Sequence, residues 1–303
     1  MDWQQIIGFY HVATLGSFTR AAEATFRTQS ALSQQIKALE EELGCQLLER
    51  IGKRKLRLTA AGEMFLSFAR ETLKRHEHLM DDLHELEGAP KGRLRIAAPF
   101  TTLYHLLPGP IREYTARFPH VELKMLDRPQ QGVFELVRSG DVDFGLALES
   151  EVPGDLATLP WKGVETVVMV PPDHHLAAAA SVTLEQVAAC PLILPPRESK
   201  LSSRKILEAR LRELGAECRI ILESSNVELS SLYVEMGLGI SFATVVRDLP
   251  ALRERRLKFI PVVGLPASDH IAVVMRRDKT LSSYKRSFLD ILFRESPAAG
   301  PHL

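Results

Sequence analysis

The chain has 303 residues, of which 45% are hydrophobic and 25% are charged. This length predicts about two domains, and the composition excludes a disordered or low-complexity protein. Because 38 basic residues balance 38 acidic residues, no overall charge attracts the chain to nucleic acid or to an anionic membrane, so any binding of a polyanion must be local.

The N-terminal segment lacks a basic stretch followed by an apolar one, and no run of about 18 apolar residues occurs. We therefore expect a cytoplasmic protein that does not enter a membrane. The three cysteines, Cys45, Cys190 and Cys218, are widely spaced, which fits neither a disulfide framework nor a CxxC metal site. We interpret them as reduced and mostly buried; a redox role for Cys190 and Cys218 is the less favoured alternative, because the two would have to meet in space.

The first 27 residues predict two short helices joined by a tight turn. Apolar residues recur near helical spacing within residues 2–15, which predicts a helix that ends at Gly16. Ser17 can act as the N-cap of the next helix. The stretch SFTRAAEATF carries alanines that let another helix approach closely. This arrangement is typical of a helix-turn-helix motif.

A third helix is predicted from its N-cap Thr28 to Leu43, with Gly44 in the left-handed position after its end. One face carries an apolar stripe that we expect to be buried, formed by Leu32, Ile36, Leu39 and Leu43. The other edge carries hydroxyl, amide and ammonium groups and no carboxylate, on Thr28, Gln29, Ser30, Ser33, Gln34 and Lys37.

The acids of this helix stand at its far end, as Glu40, Glu41 and Glu42. Acidic side chains normally favour the N-terminus of a helix, so the order is the reverse of the usual one. Such an edge suits a polyanion, and glutamine can bind adenine in the major groove of DNA. A solvated surface helix with a chance charge pattern is the alternative for this helix alone.

The stretch CQLLERIGKRKLRLTAAG predicts a β-hairpin with a basic turn. Residues 50–57 contain no acid and five cations, Arg50, Lys53, Arg54, Lys55 and Arg57. Such a cluster can neutralise phosphates and release counterions. A solvated charge run is the alternative.

Thr59 caps a long predicted helix. Residues along it recur at alternating three- and four-residue spacing, in the order Phe65, Ala69, Thr72, His76, Leu79, Leu83 and Leu86. This resembles a coiled-coil seam, so we expect a homodimer that pairs through residues 60–88. Packing on the other domain of the same chain is the alternative.

After the hinge GAPKG, strands alternate with helices, which predicts a largely parallel sheet with helices on its faces. Small hydroxyl or amide residues stand where strands pass into helices, at 101–102, 202–203 and 224–226. A crevice between two subdomains would bring these positions together as a small-molecule cleft. Each of them is alternatively a simple N-cap.

Catalytic and metal chemistry find little support. Asp173, His174 and His175 lie in a predicted polar turn, and no GxSxG elbow accompanies the scattered serines. Gly237 and Gly239 follow a helix, the reverse of a dinucleotide fingerprint. The possible helix-face set of His76, His78 and Asp82 is more typical of a solvated surface. We therefore expect no catalytic residues, metal or cofactor.

The stretch GSFTRAAEATFRTQSALSQQIKALEEELGCQLLERIGKRKLRLTAAGE resembles the N-terminal domain of LysR-type transcriptional regulators almost without gaps. The resemblance implies a winged helix-turn-helix at residues 1–60 and a linker and dimerisation helix at 61–90. It implies that Arg50 and Lys53 reach the DNA backbone or minor groove. It also implies that the six residues of the third-helix edge lie in or beside the major groove, and that the oligomer is a tetramer. Ser30 stands where many members have proline.

The resemblance continues over residues 91–303, with VEMGLGISF at the usual helix-to-strand turn. It implies an α/β effector domain like periplasmic binding proteins, with subdomain I at about 91–160 and 268–303 and subdomain II at about 161–267. Arg128 is a candidate partner for an anion. The full set of implied effector residues is Thr101, Thr102, Arg128, Glu149, Ser202 and Ser203.

Some likeness to the sulfur-assimilation branch points to a sulfate-like or amino-acid-derived effector, although Pro99 and Leu148 replace hydroxyl residues of that branch. The sequence thus predicts a ligand-responsive regulator that binds double-stranded DNA and a small-molecule effector, with anions among the candidates. The alternative is a solute-binding or enzymatic α/β protein whose N-terminal domain binds another protein.

Overall fold

The computed structural model describes residues 1–51, 55–86, 91–196, 202–213, 215, 218–224, 226–246, 255–265 and 269–294. The chain forms two compact units, Met1–Ala89 and Pro90–Leu303. No helix among the described residues is long and apolar enough to cross a membrane.

The N-terminal unit consists of four helices and one hairpin. Its elements are α1 Trp3–Leu15, α2 Phe18–Ala24, α3 Gln29–Leu43, β1 Leu48–Ile51, β2 Lys55–Leu58 and α4 Ala60–Leu86. Ser17 and Thr28 cap α2 and α3 with their side chains, and Gly16 and Gly44 adopt left-handed conformations with φ of 61° and 66°. Thr59 accepts a hydrogen bond from the Gly62 amide at 3.0 Å. These local predictions are confirmed.

The apolar face of α3 packs into the core of the N-terminal unit. Leu32, Ile36 and Leu39 are buried, whereas Leu43 is 40% exposed. The prediction that Leu43 faces the core is wrong, because it is the last residue of α3 and the chain leaves the core there through Gly44.

The predicted seam of α4 divides into two parts. Phe65 and Ala69 are buried in the unit's own core, where Phe65 packs edge-on against Phe9 with ring centroids 5.0 Å apart. The ring of His76 lies 4.5 Å from that of Trp3. A seam that faces outward along its whole length is therefore wrong for the first half of α4. In the second half the seam leucines, Leu79, Leu83 and Leu86, are exposed.

The C-terminal unit, which we call the effector unit, contains one mixed sheet with helices on both faces. Its elements in chain order are β3 Gly92–Ala98, α5 Phe100–His105, α6 Pro108–Arg117, β4 Val121–Asp127, α7 Gln130–Ser139, β5 Phe144–Leu148, a short 3-10 helix Glu149–Glu151, β6 Leu156–Val170, α8 Leu184–Ala188, β7 Leu192–Leu194, α9 Ser202–Glu213, β8 Ile220–Glu223, α10 Val227–Glu235, β9 Ile240–Val246, β10 Lys258–Pro261, β11 Asp269–Arg276 and α12 Ser283–Arg294. The short elements α8 and β10 were not predicted.

The strand order is β4-β3-β5-β11-β6-β9-β7-β8, and β10 pairs with β6. The first half of the sheet, β4, β3 and β5, is parallel, and so is the second half, β9, β7 and β8. Between them β6 and β11 make antiparallel pairs with β5, with each other and with β9. The prediction of a largely parallel sheet is therefore wrong, because two antiparallel strands join the parallel halves.

Alternate residues of β6 enter cores on opposite faces of the sheet. Val168 and Val170 pack with Leu192 in a core on one face, and Val167 and Met169 belong to a separate core on the opposite face. Because helices cover both faces, the inner strands β5 and β7 are buried apolar runs, whereas the edge strands β4 and β8 alternate in burial.

Candidate nucleic-acid interface and effector site

The edge of α3 opposite its buried face is open. Of the six residues of this edge that are predicted to meet DNA, only Ser33 is half-buried; the five that are exposed are Thr28, Gln29, Ser30, Gln34 and Lys37. The hydroxyl of Thr28 caps the Ala31 amide at 3.2 Å. Hydroxyl and amide groups can exchange hydrogen bonds with base edges, so the exposed edge has the chemistry of direct readout.

The three glutamates at the end of α3 each have a partner. Glu40 accepts hydrogen bonds from the amides of Leu47 and Leu48, at 2.7 and 3.0 Å, and so fixes the entry into β1. Glu41 lies 3.6 Å from the ammonium group of Lys37, and Glu42 pairs with the N-terminal ammonium group. All three glutamates therefore make contacts within the N-terminal unit, and one of them, Glu41, pairs with Lys37, a residue predicted to contact DNA.

The predicted hairpin is present, and its antiparallel register places Arg50 opposite Leu56 and Glu49 opposite Arg57. Arg57 lies 3.7 Å from the Glu49 carboxylate, so one cation of the cluster has an acidic partner. Lys53 lies outside the described residues, and so does the side chain of Arg50.

The turn between α2 and α3 contains a residue that sequence reasoning missed. Phe26 is 98% exposed and has a φ of 54°, in the left-handed region that favours glycine. Next to it, Arg27 donates to the side chains of Gln35 and Gln4 and so joins α3 to α1. A phenylalanine would be assigned to the core from sequence, so no sequence signal identifies this exposure.

Four of the six predicted effector residues follow the carboxyl ends of neighbouring parallel strands. Thr101, which is half-buried, and Thr102, which is buried, lie in α5 directly after β3. Arg128 follows β4, is exposed, and its amide donates to the Ala98 carbonyl at 3.0 Å. Glu149 follows β5, and its carboxylate lies 3.3 Å from Nδ1 of His270. The topology thus brings these four residues to one edge of the first half of the sheet.

The other predicted positions follow strands of the second half of the sheet. Ser202 and Ser203 begin α9, and their side chains lie outside the described residues. Asn226 caps α10 by accepting from the Leu229 amide at 2.9 Å, and the buried Ser224 donates to the Asn226 carbonyl. At 226 the simple N-cap interpretation therefore accounts for the side chain, whereas Ser224 bonds to the backbone without capping the helix, and residue 225 lies outside the described residues.

A buried polar contact joins α5 to α10, and the sequence did not predict it. Nε2 of His105 lies 2.6 Å from the Glu228 carboxylate, with the two side chains 5% and 18% exposed. The other oxygen of Glu228 accepts a hydrogen bond from Arg255 at 3.0 Å. The ends of helices from both halves of the sheet therefore meet. A lone histidine, glutamate and arginine far apart in sequence give no motif.

A cavity of about 370 Å³ lies beside the edge strand β8 and is lined by Arg204 and Ile220–Glu223. The guanidinium group of Arg204 donates to the carboxylates of Glu208 and Glu223, at 2.9 and 2.7 Å. Because two carboxylates already neutralise this buried cation, the cavity is a poor site for an anion. It includes none of the predicted effector residues.

Comparisons with known proteins decide the family. The model described as "Bacterial regulatory helix-turn-helix protein, lysR family" matches residues 3–63, and the model of the "LysR substrate binding domain" matches residues 87–296. The chain belongs to the LysR family. It is a ligand-responsive, DNA-binding transcriptional regulator, as the resemblance implied.

Curated LysR relatives match over nearly the whole chain. The transcriptional regulator CysB of Burkholderia cenocepacia is 31% identical over 277 residues, covering 91% of this chain and 88% of that protein. The transcriptional activator CmpR of Synechocystis sp. is 29% identical over 290 residues, covering 96% and 94%.

Solved LysR-family structures share the fold. Full-length CbnR in complex with its target DNA superposes with a TM-score of 0.63 at 23% identity, covering 98% of this chain and 100% of that one. Full-length BenM superposes with a TM-score of 0.58 at 23% identity and covers both chains completely.

Proposed function

We propose that this LysR regulator reads its operator with the exposed edge of α3, through Thr28, Gln29, Ser30, Ser33, Gln34 and Lys37. The observation that carries the proposal is the burial of Leu32, Ile36 and Leu39 on the opposite face, which turns the polar edge outward. CbnR, which has the same fold, was solved with its target DNA. Arg50 and Lys53 of the hairpin would contact the DNA backbone or minor groove.

The pair of Lys37 and Glu41 does not oppose this role. Both side chains are largely exposed, and exposed ion pairs contribute only about 0–1 kcal/mol. A phosphate group can therefore replace Glu41 as the partner of Lys37 at small cost. The carboxamide of Gln34 is the side chain of this edge best suited to specify a base, because it can bind adenine in a bidentate manner.

We propose that two copies pair through residues 60–88, as the exposed second half of α4 favours. Its apolar side chains form a stripe of Leu79, Met80, Leu83 and Leu86. Burying such a stripe against a second copy removes apolar surface from water. Pairing would set the spacing of two DNA-binding domains, and hence of the two operator half-sites. A tetramer made of two such dimers is the larger assembly that we propose.

We propose that the effector binds at the carboxyl ends of β3, β4 and β5, with Thr101, Thr102, Arg128 and Glu149 on one side and Ser202 and Ser203 on the other. The exposed guanidinium group of Arg128 favours a ligand with a carboxylate or an inorganic anion. Binding would change how α5 and α10 meet at His105 and Glu228. It would thereby change the closure of the effector unit.

We further propose that the protein acts in the cytoplasm and by binding rather than by catalysis. The curated relatives are named as transcriptional regulators, which supports a role without chemistry. Genomic duplex DNA in the same compartment is the partner that such a role requires.

A salt titration of duplex binding by the full chain tests the DNA interface. Affinity should fall steeply with ionic strength, because phosphate contacts release counterions. Gln34→Ala should cost about 1–3 kcal/mol on the preferred operator and relax its sequence preference. Gln131→Ala provides a matched control, since Gln131 is an exposed glutamine of α7 in the effector unit.

Lysine variants separate backbone contacts from base contacts. Lys53→Ala and Lys37→Ala should weaken all duplexes alike and reduce the salt slope by about one unit each. Binding that is insensitive to salt, or a Gln34→Ala variant that behaves like Gln131→Ala, would count against this interface. A thermal-shift screen of small anions and metabolites with the full chain tests the effector class.

A further inference from the structure

Three side chains of metal-ligating types meet in the second half of the effector unit. They are the imidazoles of His174 and His175 and the thiol of Cys190, and their candidate ligand atoms all lie within 4.8 Å of one another. The histidines lie in the turn after β6, and the cysteine follows α8. The fold, and not the local sequence, brings the thiol to the imidazoles, which is why the sequence predicted no metal site.

Both segments that carry these groups are held in place. In the histidine turn, the His174 amide donates to the Pro171 carbonyl at 3.1 Å and the Ala177 amide donates to the His174 carbonyl at 2.8 Å. The Cys190 amide donates to the Val187 carbonyl at 3.1 Å. Cys190 and Leu176, which follows the histidines, belong to the same buried cluster. The backbone therefore presents the three groups without needing to refold.

The chemistry of the three groups suits a borderline-soft cation. Imidazole nitrogen and cysteine sulfur are the ligands that Zn²⁺ usually takes in structural sites. Burial raises the pKa of the Cys190 thiol. A metal ion must therefore displace a proton from Cys190, as is usual for thiolate ligands.

The burial of the three groups is graded from the core to the solvent. Cys190 is buried, His174 is half-buried and His175 is exposed. An ion could therefore enter from the solvent side and retain water there. Tetrahedral Zn²⁺ with N and S ligands at about 2.0–2.3 Å needs ligand atoms about 3.3–3.8 Å apart, so spacings of up to 4.8 Å would contract by at most about 1.5 Å. The exposed side chain of His175 is free of the core and can rotate toward the other two groups.

We propose that His174, His175 and Cys190 form a Zn²⁺ site with a water molecule in the fourth position. This site is independent of the DNA interface and of the proposed effector residues. Two hydrogen bonds would be exchanged for coordinate bonds. One is the long contact from the Leu176 amide to Nδ1 of His174 at 3.3 Å, and the other is the weak contact from the Cys190 thiol to the Gln186 carbonyl at 3.5 Å.

The competing interpretation treats Cys190 as a small buried side chain with no ligand. Buried free cysteines are commonly of this kind. In that case the two histidines are only a polar turn, and metal ions in solution leave the protein unchanged. The two interpretations differ in whether the Cys190 sulfur bonds to an added ion.

Titration of the reduced, metal-stripped full chain with Co²⁺ separates them, because Co²⁺ occupies tetrahedral zinc sites and reports thiolate ligation by a charge-transfer band in the near ultraviolet. We expect one equivalent of Co²⁺ to produce this band and Zn²⁺ to remove it. Cys190→Ser should abolish the band, and His175→Ala should weaken binding at least tenfold. Cys45→Ser is the matched control, since Cys45 is exposed and lies in the N-terminal unit.

The absence of a thiolate band in the unmodified chain would overturn the proposal. So would a band that persists in Cys190→Ser, or equal affinities of His175→Ala and the unmodified chain. If the buried Cys190→Ser variant does not fold, His175→Ala decides the matter, because its side chain is exposed and its loss should not disturb the core. Zn²⁺ should also raise the Tm of the unmodified chain more than that of His175→Ala at the same concentration.

Discussion

Replacing Glu228 by alanine tests whether the contact between α5 and α10 stabilises the effector unit. The Glu228 carboxylate lies 2.6 Å from Nε2 of His105 and accepts from Arg255 at 3.0 Å. Glu228 and His105 are largely buried, so solvent weakens their contact less than it would a surface pair. The variant removes both contacts at once and leaves the partners in place.

The magnitude follows from what each partner loses. A hydrogen bond to a charged group contributes about 1.5–3 kcal/mol. Arg255 loses only one of its two carboxylate partners, because its guanidinium group also lies 3.6 Å from the carboxylate of Glu235. Within the part of the chain that the structure describes, Nδ1 of His105 has no hydrogen-bond partner, so the variant leaves both ring nitrogens of a buried histidine unsatisfied. We expect the effector unit to lose about 3 kcal/mol of unfolding free energy.

Chemical unfolding of the full chain, followed by tryptophan fluorescence, measures this loss. Trp161 is buried in the effector unit, and a Trp3→Phe background leaves it as the sole tryptophan. The matched control is Glu213→Ala, which breaks the exposed pair of Glu213 and Arg210 and should cost about 0–1 kcal/mol. Glu228→Gln keeps an acceptor oxygen and should fall between the two. If Glu228→Ala loses no more than Glu213→Ala, the contact does not hold α5 to α10.

Two further predictions concern the cores of the two units. Gly62→Ala would place a Cβ atom 2.0 Å from the backbone carbonyl oxygen of Leu47. Thermal unfolding should therefore show the N-terminal unit destabilised by about 3 kcal/mol. The control Gly109→Ala should be neutral, because its Cβ atom would have nothing within 4 Å. Burial alone would raise the pKa of Asp143, but Lys279, Lys285 and the Arg95 amide lower it overall. A folded pKa below the unfolded value stabilises the protein above about pH 4, and this contribution is lost as the pH falls through the folded pKa. Asp143→Asn should therefore cost about 3 kcal/mol at neutral pH and flatten the loss of stability in acid; equal unfolding curves at neutral pH would contradict this.

The elements that the sequence predicted well carry their signal in neighbouring residues. Thr28 caps α3 and Gly44 ends it because each acts on backbone groups within one helical turn. The direction of a strand in a sheet has no such local signal. β11 comes late in the chain and inserts between β5 and β6, and this antiparallel insertion made the prediction of a largely parallel sheet wrong.

Periodicity likewise predicts a face without identifying what covers it. The spacing along α4 is regular, yet Phe65 and Ala69 pack within their own unit and Leu79 is exposed. The same difficulty applies to the effector site. Thr101 and Arg128 could be placed at strand ends from sequence, but the contact of His105 with Glu228 depends on how two distant helices meet.

The acids of α3 show which part of the sequence argument the DNA interface depends on. Their position at the far end of the helix is unfavourable for the helix dipole, and a need to keep the leading turns free of acid would account for it. The structure supplies a second cause, because Glu40 binds the amides that begin the hairpin and Glu42 pairs with the N-terminal ammonium group. The presence of these acids at the end of α3 therefore has a structural origin that does not involve DNA. The argument for the interface therefore does not depend on the glutamates. It depends on the exposure of Gln34 and its neighbours opposite the buried apolar face of α3.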